Sequence, residues 1–247
     1  MKHRILLIAF LLFCSVVQAK DALVIPQSLL DQVDGGNAEA AYFIAKSYLD
    51  GSETFEADQE QAMTWLEKSA NMGYAHAMLD LANEYHGSNE KQLALSWYEK
   101  AAEQGVANAF ESIASYYLLG DAGLQKNCIT AYQWYEKAEA REVKLAFNNH
   151  AWYLATSPDK KCRNPEKAIV VYAKMKALYK SAAEKIPWGF VDTEAAVLAS
   201  ISDFSAAIKL QTQLIEELKS YDADVTSYQL HLDQYLQRKP WVELIVD

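Results

Sequence analysis

The stretch ALSWYEKAAEQGVANA, Ala94–Ala109, has two near copies in the same chain. AMTWLEKSANMGYAHA starts at Ala62 and AYQWYEKAEAREVKLA at Ala131. Their tryptophans, Trp65, Trp97 and Trp134, are spaced by 32 and 37 residues. Self-similarity at this period predicts a stack of small helical units, each burying its apolar face against the next.

A second helix precedes each copy. It carries Ala41-x3-Ala45-x2-Tyr48, then Met78-x3-Ala82-x2-Tyr85, then Phe110-x3-Ala114-x2-Tyr117. Offsets of four and three keep these residues on one helical face. Alanine there allows close helix approach, and tyrosine fills the wider gap at the helix end. Gly51, Gly87 and Gly120 are expected to stop these helices in the left-handed conformation that glycine tolerates best. Gly73 and Gly105 stop the first two tryptophan helices, and Arg141 stands at the third such turn. The recurrence of the tryptophans beside alanine makes Trp65, Trp97 and Trp134, with Tyr48, Tyr85 and Tyr117, the expected repeat core.

These motifs resemble the Sel-one-like repeat, a variant of the tetratricopeptide repeat. LANEYHG and ALSWYEKAAEQG, between Leu81 and Gly105, carry the resemblance most fully. Further on, NNHAWYLATSPDKKCRNPEKAIVVYAK from Asn148 and WGFVDTEAAVLASISDFSAAIKLQTQLIEEL from Trp188 resemble ordinary bacterial tetratricopeptide pairs. His150 and Glu194 occupy usual leucine positions there, and the last pair is expected to be looser. The resemblance implies an all-α, right-handed α-solenoid of antiparallel helix pairs with about ten or eleven helices. The expected organisation is a signal peptide over residues 1–19, an N-terminal cap over 20–35 and three Sel-one-like repeats over 36–141. Two degenerate tetratricopeptide-like pairs follow over 142–219, then a C-terminal capping helix and tail over 220–247.

Residues 1–19 read as an export signal. Lys2, His3 and Arg4 precede an apolar run from Ile5 to Val17, and Val17-Gln18-Ala19 suits cleavage after Ala19. The run is short for a spanning helix of about 20 residues, and an uncleaved anchor is the alternative. The expected location is the periplasm or the exterior. Formal net charge is −10. Cleavage removes Lys2 and Arg4, leaving 21 cations against 33 carboxylates, a net of −12. This acidity argues against nucleic acid and anionic membranes, and suits a basic protein partner. Cleavage also leaves two cysteines, Cys128 and Cys162. Each lies just before the second helix of its unit, in loops expected to be stacked neighbours. A disulfide between them is expected in an oxidising compartment; two free thiols or a reactive redox pair are the alternatives.

Motifs for chemistry are missing from the sequence. The histidines form no H-E-x-x-H, and there is no C-x-x-C, phosphate loop or G-x-S-x-G. No cofactor, metal or catalytic residue is assigned. By analogy with tetratricopeptide arrays, the first helix of each pair lines the concave surface. That places Tyr42, Lys46, Leu79, Asn83, His86, Glu111, Ser115, Leu118, Asn148 and Trp152 there. Amides suit a peptide backbone and apolar groups supply anchors. Lys46 and Asn83 also resemble part of the clamp that some tetratricopeptide domains close on a terminal carboxylate. The expected function is non-catalytic protein binding, as scaffold or regulator of a cell-envelope protein. An immunity-type inhibitor of an exported toxin or enzyme is an alternative. A cell-wall-processing enzyme is the alternative of a different class.

Overall fold

The computed structural model describes residues 25–51 and 57–243. The expected signal peptide, residues 20–24, the loop 52–56 and the last four residues lie outside them. Among the described residues there are twelve α-helices, a short 3-10 turn at Asp121–Gly123 and no strand. The helices are α1 (Gln27–Asp34), α2 (Ala38–Asp50), α3 (Gln59–Asn71), α4 (Ala75–Gly87), α5 (Lys91–Glu103) and α6 (Ala107–Leu119). Then come α7 (Cys128–Glu139), α8 (Lys144–Thr156), α9 (Pro165–Ser181), α10 (Trp188–Ser200), α11 (Phe204–Lys219) and α12 (Thr226–Leu236). Helices α2 to α11 pack as five successive pairs, with α1 and α12 at the two ends. The architecture is the expected α-solenoid, slightly longer than ten or eleven helices because both end segments are helical.

Side-chain caps start five of the helices. Asn37, Asp58, Asn127, Asn164 and Asp203 each accept a backbone N–H from the first turn of α2, α3, α7, α9 and α11. The helix ends hold more surprises. Only Gly120 adopts the left-handed conformation as a C-cap; Gly51 has positive φ with extended ψ. Gly87 is the last residue of α4, and the positive φ falls two residues later at Asn89. After α3 and α5, Gly73 and Gly105 carry positive φ. The next backbone N–H, of Tyr74 or Val106, reaches back to Ser69 or Ala101, the bond of a Schellman turn. After α7 the same bond runs from Val143 to Ala138, and the left-handed residue is Glu142, not Arg141. Counting eight residues from each tryptophan gives Gly73, Gly105 and Glu142 in register. A side chain in this conformation costs about 1–2 kcal/mol, against about 0.5–1 kcal/mol for the freedom that glycine loses. Glu142→Gly is therefore expected to stabilise the chain by about 0.5–1 kcal/mol in urea unfolding.

One principal core runs through the stack. Ala45, Ala82 and Ala114 on the first helices, and Ala62, Ala94 and Ala131 on the second, are fully buried. So are Ile44, Leu81 and Ile113, each just before its alanine, and Leu154-Ala155 continues the pattern into the fourth pair. The repeated tryptophans and tyrosines are half-buried and pack against this core from its rim. The residue after each tryptophan (Leu66, Tyr98, Tyr135) takes the interior. Each tryptophan ring is covered instead by the lysine three residues on, with Lys100 and Lys137 3.6 Å from their ring centroids and Lys68 4.9 Å.

The fourth and fifth pairs pack less densely than the first three, and the last is the loosest, as expected; His150 and Glu194 nevertheless find partners. His150 is fully buried, pairs with Glu139 at 2.5 Å and stacks on Tyr135. Glu194 accepts from Lys176 of α9. The Cys128–Cys162 disulfide is formed, with Cα atoms 5.9 Å apart. Cys128 is the first residue of α7 rather than a loop residue, while Cys162 precedes the Asn164 cap of α9. The bond joins the third pair to the fourth.

Candidate functional site: the inner groove

Helices α2, α4, α6, α8, α10 and α12 form one layer; α8 packs directly on α10, and side chains link the other successive members. Tyr42 of α2 donates to Asp80 of α4 at 2.9 Å. His86 of α4 lies 2.8 Å from the Tyr116 hydroxyl of α6. Asn149 of α8 donates to Glu111 of α6 at 2.8 Å. Asp192 of α10 meets His231 of α12 at 2.9 Å. At its C-terminal end this layer curls. Trp152 of α8 and His231 of α12, separated by α10, bring their rings to 5.6 Å. Such a contact requires the layer to curl towards that face.

At its C-terminal end the curl closes the groove. Asp192 is buried and also accepts from Gln211 at 2.7 Å. Beyond α12 the chain doubles back: Trp241 packs on His231 at 4.3 Å, and the Glu243 N–H donates to the Thr156 carbonyl that ends α8. Trp152 is thus half-buried against the chain's own end segment. Asn148 is buried too, at 8% exposure. Neither presents the open surface expected of it.

The open part of the groove spans α4, α6 and the start of α8. A hollow of about 590 Å3 is lined there by Leu79 and Asn83 of α4, Ala107, Asn108, Glu111 and Ser112 of α6, and residues 141–145. A smaller hollow of about 340 Å3 between α4 and α6 shares Leu79, Ala107 and Asn108 with it. Asn83 and His86 are exposed; each has one partner, Tyr98 for the amide oxygen of Asn83 and Tyr116 for His86. Tyr42 and Lys46 both engage Asp80, Lys46 at 3.8 Å, so the lysine of the expected carboxylate clamp already faces a carboxylate. Ser115 donates to Glu111 and contacts Tyr135.

Leu118 belongs to a different hollow, of about 550 Å3, at the loop edge. It is walled by the disulfide, Tyr153 and Glu243, with Leu119 and Ile129 at 46% and 57% exposure. The tail that helps to build this hollow is remote in sequence, and no local motif marks it. Asn149 and Asp80 were also missed, although both sit one helical step from assigned residues.

Glu111 is the electrostatic centre of the open groove. Burial raises its carboxyl above the usual carboxylate range, partly offset by hydrogen bonds from Asn149 and Ser115. The folded state therefore holds this proton more tightly than the unfolded chain does. Its ionised form costs stability at neutral pH, and that cost is relieved as pH falls through the raised folded value. Glu111→Gln is expected to raise the thermal midpoint at pH 7, with the gap to wild type closing in acid; circular dichroism melts across pH check this. Among the described residues no group of three or more His, Cys, Asp or Glu could hold a metal ion. No helix among them is long and apolar enough to cross a membrane.

Paired helices stacked on a continuous core, with hollows between α4, α6 and the start of α8, define an α-solenoid of short repeats. Three matches to the Sel1 repeat model fall on residues 38–74, 75–106 and 112–141. The chain belongs to the Sel1 repeat family. Among solved structures it is similar to a Sel1 repeat protein from Oxalobacter formigenes, at 31% identity over 49% of this chain and 92% of that one, with a TM-score of 0.44. It is also similar to c5321, a protective antigen of uropathogenic Escherichia coli with an SLR fold. There identity is 19%, coverage 86% of this chain and 56% of that one, and the TM-score 0.53. The immunity protein Pa5087 from Pseudomonas aeruginosa matches at 20% identity over 61% of this chain and 73% of that one, with a TM-score of 0.33. No curated protein matches.

Proposed function

We propose that this chain is exported and binds another protein through the open inner groove, acting as scaffold or regulator in the cell envelope. The observation that carries the reading is the pair of adjoining hollows across α4, α6 and α8. They are flanked by exposed side chains that do not repeat from unit to unit. Repeating positions serve stacking; non-repeating ones are free to match a partner. An ordered surface with such hollows suits an extended segment or a helix, with apolar anchors and amide bonds to its backbone. A disulfide between stacked units supports an oxidising compartment.

Capture from envelope extract tests this. The wild-type chain retains a stoichiometric partner. A Leu79→Arg/Asn83→Ala variant with an unchanged circular dichroism spectrum loses it. Equal retention by the variant contradicts the groove. An enzymatic reading predicts turnover of muropeptides by the purified chain alone; we expect none.

A further inference from the structure

Resting on the groove reading above, we propose that the hollow between α4, α6 and α8 takes an extended partner segment that sets a lysine or arginine side chain on Glu111. The two oxygens of this carboxylate are used unequally. Asn149 and Ser115 both donate to Oε1, at 2.8 and 3.3 Å. Oε2 has no donor among the described residues. It is not one of the fully buried atoms left without a partner, so it is open to the hollow.

Two cations also line this hollow, and both are engaged elsewhere. Arg141 lies over the Phe110 ring at 4.2 Å and donates to the Lys137 carbonyl. Lys144 pairs with Glu184 at 2.6 Å. Among the described residues Glu111 therefore has no ion pair. A desolvated carboxylate held by neutral donors gains most from an arriving cation that also hydrogen-bonds, and guanidinium or ammonium supplies both. The net charge of −10 steers such a partner in.

The geometry also sets a register. Neighbouring helices lie about 8–10 Å apart, and a segment in the extended polyproline II form rises about 3.1 Å per residue with three residues per turn, so side chains three positions apart share a face. A segment crossing α6 thus places side chains three positions apart in the two adjoining hollows. The basic residue meets Glu111, and an apolar residue three positions away meets Leu79, which both hollows share. Asn83 spends its oxygen on Tyr98 and keeps its amide N–H groups for the segment's carbonyls.

The probe is the peptide acetyl-Leu-Ser-Ser-Arg-Ser-Ser-Leu-amide, titrated into the 15N-labelled chain at low salt. A matched peptide carries glutamine in place of arginine. We expect shifts at the Asn83, Glu111 and Asn149 amides, and at least tenfold tighter binding of the arginine peptide. Glu111→Gln should bring the two peptides within twofold of each other. Groove shifts with equal affinities overturn the basic anchor and leave the groove reading standing. Loss of the arginine preference in wild type, or no shifts on α4, α6 and α8, likewise overturns the anchor. The groove itself is then judged by crosslinking to the natural partner.

Discussion

Reduction of the Cys128–Cys162 bond is expected to lower the unfolding free energy by about 3–4 kcal/mol. The bond spans 34 residues of sequence and ties the third helix pair to the fourth. Loss of loop closure in the unfolded chain supplies the magnitude. The location sharpens the expectation. Helices α7 and α8 pack more sparsely against each other than α3 with α4 or α5 with α6. Stability in a solenoid is a sum of unit and neighbour-interface contributions, so a staple at this sparse interface holds the two halves in one cooperative transition. A Cys128→Ser/Cys162→Ser variant should lose stability and broaden or split its urea transition. Residues up to α7 and residues from α8 onward would then unfold at separate midpoints. A single sharp transition at the wild-type midpoint would contradict this account of the junction.

Leu81→Ala is expected to cost about 2–5 kcal/mol, the range for deleting a fully buried leucine. Leu81 has no exposed surface and lies in the principal core of the stack, beside Ala82. The positions in register with it, Ile44, Ile113 and Leu154, are buried to the same degree. Alanine-lined interfaces leave little freedom to collapse around a cavity, which favours the upper part of the range. Trp97→Ala is the informative contrast. Its ring is half-buried at the rim under Lys100, and truncation there should cost less than at Leu81. Chemical unfolding of both variants checks the order. The reverse order would restore the tryptophans to the centre of the core.

Much of this was legible because short-range periodicity determines it. Alanine, aliphatic and tyrosine spacings identified both helices of each repeat, and two cysteines in consecutive units identified the disulfide. Local pattern failed where one residue of rotation decides the outcome. Neighbouring residues on a helix differ by about 100° in direction, so Trp97 and Tyr98 look alike in a motif yet point to rim and interior. The third turn shows the same limit: without a glycine to mark it, Glu142 was passed over for Arg141. The candidate groove was half legible. Analogy located Leu79, Asn83 and Glu111 on the inner layer. It also offered Trp152, because contact between α8 and α12 depends on curvature accumulated over several units. No motif within either helix records that curvature.

The central claim is that the inner groove, and not the outer layer, meets the partner. A photo-crosslinking amino acid placed at Leu79, in the groove, tests it against the same group at Leu93 of α5 or Val170 of α9, both exposed on second helices. Irradiation of each variant in envelope extract of the source organism is followed by mass spectrometry of the adducts. The account predicts one dominant covalent partner from position 79 and none from positions 93 and 170. A partner captured from 93 or 170 but not from 79 would contradict it.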